Sequence, residues 1–410
     1  MKKIFVLFYK KSINRCSLTL CMFLSCAFAV QSKEVNVLPS VTQPAKGVNF
    51  FYLNGRDQED FVQVAEKLFY GDNACKGVRN DITERFDNSL KAIKAAGFEW
   101  VRLLVSKDFF HIYAPRCGFK MEEIYPKLAE KHLAVLSQLI KSVAATGLKI
   151  EIVLSGTKWF ADPNNDIEFF ESILLGIPIK HVDMVILGGD VQPSNAKYQA
   201  DWLLQVLPHF LNHKNADLAS QNYLFDTVTY RHKDQALAYV EWVKKHFPQL
   251  GYLPVNLYNR TLPPSSNWRD YSIALAEFIA IYKQAELPLW IDEYGFRLSN
   301  ESENVQYTEA DRVAYLKGFY HALSCENAIT AAYFIWTAGN DRHVSFPDKD
   351  TNRTPFGLFN GYENNMPITT PAWDEVALFN TTSSYCDQFI EVTEEVVGFN
   401  GRIDTKQKGN

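Results

Sequence analysis

Glu293 stands at the end of the apolar run Pro288–Asp292, and Gly295 lets the chain turn away just behind it. A carboxylate in that position can serve as a nucleophile if neighbouring donors keep it ionised. Two donors fall at the ends of other apolar runs. Arg102 lies near the end of Phe98–Val105, and Tyr258 closes Leu253–Tyr258. Each can donate a hydrogen bond to an ionised carboxylate, so together they are expected to hold the Glu293 pKa down. Such a nucleophile also needs a proton donor. The run Val182–Leu187 leads into Gly188-Gly189-Asp190-Val191-Gln192-Pro193. Asp190 there can act as general acid/base if an apolar wall and the charge of Glu293 raise its pKa. The plainer account of Glu293 is a structural acid paired with an arginine beneath surface loops, and position alone leaves the two readings about equal.

Aromatic and polar residues gather at the same strand ends. Trp159, Trp336, Tyr294, Tyr258, Phe296 and Trp268 offer flat apolar faces, on which the C–H faces of sugar rings stack. Each aromatic taken alone is more often packing than ligand contact. Gln192, Asn259 and Asp341 are the polar candidates beside them.

The elements that must position these residues alternate along the chain. Expected strands are Gly47–Tyr52, Phe98–Val105, Leu148–Leu154, Val182–Leu187, Tyr223–Tyr230, Leu253–Tyr258, Pro288–Asp292 and Ile329–Trp336. Between them, apolar residues recur at helical spacing, as at Ile82, Phe86, Leu90 and Ile93 before Gly97. Near-continuous apolar strands separated by helices imply a parallel sheet covered on both faces. About eight such units, with no Gly-rich dinucleotide turn after the first strand, favour a closed barrel over an open sheet. The expected fold class is α/β, a single (β/α)8 TIM barrel over residues 47–400. Its insertions fall in the loops after the first and second strands, at Asp57–Asn80 and Ser106–Tyr125. In such a barrel, functional groups lie where strands end, which is where the candidates sit.

Several segments taken in order resemble one known group. Leu287-Pro-Leu-Trp-Ile-Asp-Glu293-Tyr-Gly-Phe296 is similar to the seventh strand of the clan A retaining glycoside hydrolases, the cellulase-like (β/α)8 families. Tyr307–Leu316 resembles the helix that follows there, Tyr333-Phe-Ile-Trp336 the eighth strand, Pro355–Phe359 the segment after it, and Ala96–Arg102 the second strand. The resemblance spans roughly Gly47 to Phe379. It implies a β-glycosidic substrate, with Glu293 as nucleophile, Arg102 and Tyr258 supporting it, and Trp336 stacking a sugar ring. The fourth strand departs from the pattern. Those families end it with Asn-Glu, the Glu being the acid/base, whereas this chain reads Gly189-Asp190-Val191-Gln192-Pro193. One alignment puts Asp190 in the acid slot, and another, anchored on Pro193, puts Gln192 there. Asp190 is the expected acid/base. A glutamine cannot exchange a proton at neutral pH, so the alternative is a carbohydrate-binding barrel without catalysis.

The amino terminus reads as an address. Lys2, Lys3, Lys10, Lys11 and Arg15 precede the apolar stretch Cys16–Ala29, which ends Ala27-Phe28-Ala29. That is the pattern of a cleaved secretory signal over residues 1–29, too short to span a bilayer. A lipoprotein signal ending at Cys26 is the minor option. A polar linker, residues 30–46, follows, and residues 401–410 form a polar tail. The expected destination is the exterior or the periplasm, with no stable membrane insertion after cleavage. Four of the seven cysteines lie beyond the leader. In an exported chain an even number suggests disulfides. Cys75 with Cys117 and Cys325 with Cys386 close the shorter loops.

Other chemistries find little support. The 410 residues carry a net charge of −5 with all the basic excess in the leader, so the acidic body has no tract for nucleic acid. With 47% hydrophobic and 22% charged residues the chain is neither disordered nor a coiled coil. No HExxH, GxGxxG, phosphate-binding loop or GxSxG occurs, and no cofactor is expected. His209 and His213 are four apart on one helix, a spacing that suits a metal. With leucine-rich surroundings and no third ligand nearby in sequence, an ordinary helix face is the expected reading.

Overall fold

The computed structural model describes residues 44–50, 59–118, 130–155, 162–194, 196–258, 262, 265–296, 298–300, 305–325, 330–335, 357–383, 385–387 and 389. Eight parallel strands make its core: β1 (Ala45–Asn49), β2 (Trp100–Ser106), β3 (Lys149–Ser155), β4 (Met184–Val191), β5 (Tyr223–Thr227), β6 (Leu253–Tyr258), β7 (Leu289–Gly295) and β8 (Thr330–Ile335). The hydrogen-bonded order is β5-β4-β3-β2-β1-β8-β7-β6, with every pairing parallel. The two end strands, β5 and β6, lie against each other, and Asn256 Nδ2 on β6 donates to Asp226 Oδ1 on β5 at 2.9 Å. The strands therefore curl into the expected barrel.

Helices cover it. α1 (Glu59–Tyr70), α2 (Ile82–Ala95), α3 (Lys107–Arg116), α4 (Glu130–Ala145), α5 (Pro163–Gly176), α6 (Lys197–Leu211), α7 (Lys233–His246), α8 (Trp268–Tyr282), α9 (Glu309–Tyr320) and α10 (Pro371–Thr381) alternate with the strands. Their starts are written in the sequence. Thr308 forms a reciprocal capping box with Asp311 at α9, and Asp162 caps α5, where Pro163 occupies the first turn. Two stretches read as loops hold helices, α1 within Asp57–Asn80 and α3 within Ser106–Tyr125. Phe61 of α1 meets Phe50 edge-on, with ring centroids 5.0 Å apart, so it shares the core beside β1. At the α8–α9 crossing, a Cβ on Gly318 would come within 2.5 Å of the Trp268 carbonyl oxygen, so only glycine permits that approach.

The Cys75–Cys117 disulfide links the segment after α1 to the end of α3. Cys325–Cys386 ties the turn after α9 to the segment after α10. Their Cα atoms are 5.1 and 5.5 Å apart, and the pairing is the one expected. Among the described residues no helix is long and apolar enough to cross a membrane. The expected leader, most of the expected linker and residues 401–410 lie outside the described residues.

Candidate active site

Arg102 organises the carboxyl end of the barrel. Its guanidinium is 1% exposed and three carboxylates touch it: Glu151 of β3 at Nε, 2.9 Å, Asp226 of β5 at Nη2, 3.4 Å, and Glu293 of β7 at Nη1, 2.6 Å. Nη1 also donates to Asn49 Oδ1 at the end of β1, 2.9 Å. The far oxygen of Glu151 accepts from Trp290 Nε1 at 2.8 Å. These residues come from five strands, and only the closed barrel brings them together.

Glu293 reaches this cluster because β7 is irregular. Trp290 faces the interior, so strict alternation would turn Glu293 outward and Tyr294 inward. The register shows one extra residue in β7 on both sides. Val255 pairs with Ile291 and Asn256 with Glu293, while Tyr333 pairs with Ile291 and Ile335 with Tyr294. This bulge around Asp292 re-aims the next side chain, as bulges beside functional sites do. Glu293 turns inward. Its Oε2 accepts from Tyr258 Oη at 2.8 Å and from Asn256 Nδ2 at 3.3 Å, and its side chain keeps 11% exposure.

The same bulge corrects the expectation that Tyr294 lines the cleft. Tyr294 stacks on Phe319 of α9, with centroids 4.0 Å apart, and its hydroxyl meets that of Tyr320 at 2.9 Å. It belongs to the layer between sheet and helices. Phe296 packs among Tyr271, Tyr307 and Tyr315, and Trp268 against His321 and Phe389, so both also serve packing.

Asp190 follows two extra residues in β4, where Leu187 pairs with Phe225 and Val191 with Thr227. Gly188 has φ +78° and Asp190 φ +56°, a left-handed conformation that aspartate tolerates better than most side chains. The Asp190 N–H donates to Asp226 Oδ2 at 3.3 Å, which ties this turn to the carboxylate cluster. The Asp190 side chain is exposed. Gln192 is half-buried, with its N–H donated to Gln199 Oε1. Trp159, Asn259, Trp336 and Asp341 lie outside the described residues.

The electrostatics reverse one expectation. Arg102 and Tyr258 donate to Glu293 as anticipated, yet its pKa is pushed up to about 8. Burial is the main cause, and the charge of Asp226 adds to it. Arg102 opposes this, and Asp190 pushes further upward. Glu151 is likewise pushed up to about 8 by burial, against the pull of Arg102. Burial raises Asp226 too. Asp292 stands well above the usual carboxylate range through burial and the charge of Glu151. Neither of its side-chain oxygens has a hydrogen-bond partner among the described residues. One guanidinium cannot balance four carboxylates in a buried site, so the cluster retains protons at neutral pH. Asp292 is fully buried and has no side-chain donor among the described residues, so burial favours its neutral form. Glu293, with three donors and contact with solvent, is the member best placed to ionise.

Glu151, Asp226, Asn256, Asn49 and Asp292 were not singled out in the sequence. Asp226 lies inside the expected strand Tyr223–Tyr230, not at its end. Glu151 carries one available signal, a charge at the centre of the apolar run Leu148–Leu154.

No protein-family model matches the sequence, and no curated protein matches it. Solved structures do match. One is described as the β-glycosidase BGL167, at 9% identity and TM-score 0.52, covering 91% of this chain and 100% of that one. A GH5_18 protein from Streptomyces cattleya in complex with GlcNAc matches at 13% identity and TM-score 0.53, covering 83% and 81%. A GH5_18 protein from Bifidobacterium longum subsp. longum matches at 15% and 0.52, covering 87% and 91%. The likeness establishes the fold. It is the (β/α)8 barrel that the sequence resemblance implied.

Proposed function

We propose that this chain is an exported glycoside hydrolase that cleaves β-glycosidic bonds of an oligosaccharide or polysaccharide by double displacement. The observation that carries this reading is the inward-turned Glu293, held by Arg102 and Tyr258, with an exposed Asp190 near the end of β4 whose charge reaches it. Glu293 attacks the anomeric carbon as the bond to the leaving oxygen breaks, and Asp190 protonates that oxygen. Asp190 then takes a proton from water, which displaces Glu293 and frees the sugar. A pair of carboxyls is what this chemistry requires. Arg102 and Asn256 fix the orientation of Glu293, and Asp226 holds the Asp190 turn through its N–H. The two disulfides and the leader-like amino terminus support export.

The test is a screen of wild type and Glu293→Gln on β-linked aryl glycosides and polysaccharides. Glu293→Gln should lose at least about a thousandfold in kcat, since removal of a covalent nucleophile leaves only binding. Equal activity in both proteins removes Glu293 from the mechanism. Binding of oligosaccharide without turnover by wild type selects the non-catalytic barrel instead.

A further inference from the structure

The helix pair α5–α6 presents a second cluster, unrelated to the barrel mouth. His209 lies in the last turn of α6, and His213 lies two residues beyond its end. Glu171 of α5 faces them. The Nε2 atoms of His209 and His213 lie 2.7 and 2.8 Å from the same carboxylate oxygen, Glu171 Oε1. All three ligand atoms fall within 4.8 Å of one another. The side chains are 37%, 13% and 29% exposed in the order His209, His213, Glu171, so the group is accessible from solvent. The third ligand that the sequence did not reveal is therefore supplied by the neighbouring helix.

We propose that Glu171, His209 and His213 form a binding site for a divalent transition-metal cation, zinc above all, with water completing the coordination. Two imidazoles and one carboxylate match the donor preference of zinc, and an open fourth position is common in its three-ligand sites. Bonds of roughly 2.0–2.2 Å in a tetrahedron separate ligand atoms by about 3.3 Å. Each imidazole nitrogen lies 2.7–2.8 Å from Glu171 Oε1, so the groups open by about half an ångström to admit the ion. Burial alone would raise the Glu171 carboxyl, but hydrogen bonds from both histidines hold it below the usual carboxylate range.

His213 sets a limit on affinity. Its Nδ1 accepts the Asn215 N–H at 3.0 Å, which places the ring proton on Nε2. Loading the cation at Nε2 moves that proton to Nδ1 and breaks the bond to Asn215. The site therefore binds more weakly than a dedicated structural zinc centre. In a barrel the helices run back from the strand ends, so the carboxyl end of α6 lies at the opposite face from the catalytic mouth. The ion is placed to staple α5 to α6, and the inference stands whether or not the hydrolase reading survives.

The experiment titrates Zn²⁺ into the untagged, chelator-stripped full chain by isothermal calorimetry, with Ni²⁺ as a second probe. One Zn²⁺ per chain is expected, with a thermal midpoint that rises with Zn²⁺ and returns on chelation. His209→Ala and His213→Ala should each weaken binding at least tenfold, and Glu171→Gln should weaken it as well. All three sites are partly exposed, and circular dichroism verifies that the variants are folded. No binding by wild type, or equal binding by wild type and both histidine variants, overturns the proposal.

Discussion

Tyr258→Phe isolates one hydrogen bond to the proposed nucleophile while leaving the ring in place. The lost donor is the hydroxyl 2.8 Å from Glu293 Oε2. Among the described residues that oxygen keeps the longer contact from Asn256, 3.3 Å, while Oε1 keeps Arg102 at 2.6 Å. A hydrogen bond to an ionised group contributes about 1.5–3 kcal/mol, more to the charged than to the neutral form. At about 1.4 kcal/mol per pH unit, the Glu293 pKa should rise by roughly one to two units. The nucleophile must be ionised, so the acid limb of kcat/KM moves to higher pH by the same amount. Between pH 6 and 8 the variant should fall roughly ten- to a hundredfold below wild type, the gap narrowing as pH rises. Initial rates on the best substrate of the screen give the profile. A carboxyl-¹³C NMR titration of Glu293 gives the same shift without any substrate. An unmoved limb with a uniformly lower plateau would show that Tyr258 acts on the sugar and does not tune the nucleophile.

Stability should fall as pH rises. Glu151 and Glu293 have folded pKa values near 8, above the ordinary 4.5 of an unfolded chain, so the folded state binds the extra protons. Their contribution is complete below about pH 4.5 and is lost as pH climbs through about 8. Denaturant midpoints that increase from pH 6 to pH 9 would contradict this. Asp292→Asn mimics the protonated acid and should stay within about 1 kcal/mol of wild type. Arg102→Leu strands the carboxylates and should cost about 3–5 kcal/mol in urea unfolding. A large loss in Asp292→Asn would mean that Asp292 is ionised. Gly318→Ala forces a Cβ against backbone of α8 and should cost at least about 2 kcal/mol, read as a lowered thermal midpoint. An unchanged midpoint would mean that the two helices separate freely.

The barrel was legible because its signals are local. Apolar runs such as Leu148–Leu154 and Leu253–Tyr258, and amphipathic repeats such as Ile82–Ala96, report burial residue by residue. The structure places β3, β6 and α2 over these three with ends displaced by at most one position, while β4 and β7 run several residues past the ends of their apolar runs. Of the two helices in the long insertions, α3 has little amphipathic pattern and carries Pro115 within it, whereas α1 is strongly amphipathic and its signal was there to be read. Glu293 and Tyr258 stand near the ends of their strands, which a parallel barrel gathers at one face, whereas Arg102 is the third residue of β2 and meets Glu293 through its long side chain.

The inward turn of Glu293 depends on a bulge, a misfit between three adjacent strands that no single strand encodes. Its raised pKa depends on burial first and then on the charges of Asp226 and Asp190, brought close by closure of the sheet across sequence separations that periodicity does not span. Tyr294 was misplaced for the same reason, since one extra residue inverts the face of everything after it. Sequence alone determined which residues are apolar, where the chain turns, and which carboxylate ends a strand. Tertiary structure decided which charges share one guanidinium, because the energy of a buried charge depends on distances that exist only once the barrel is closed.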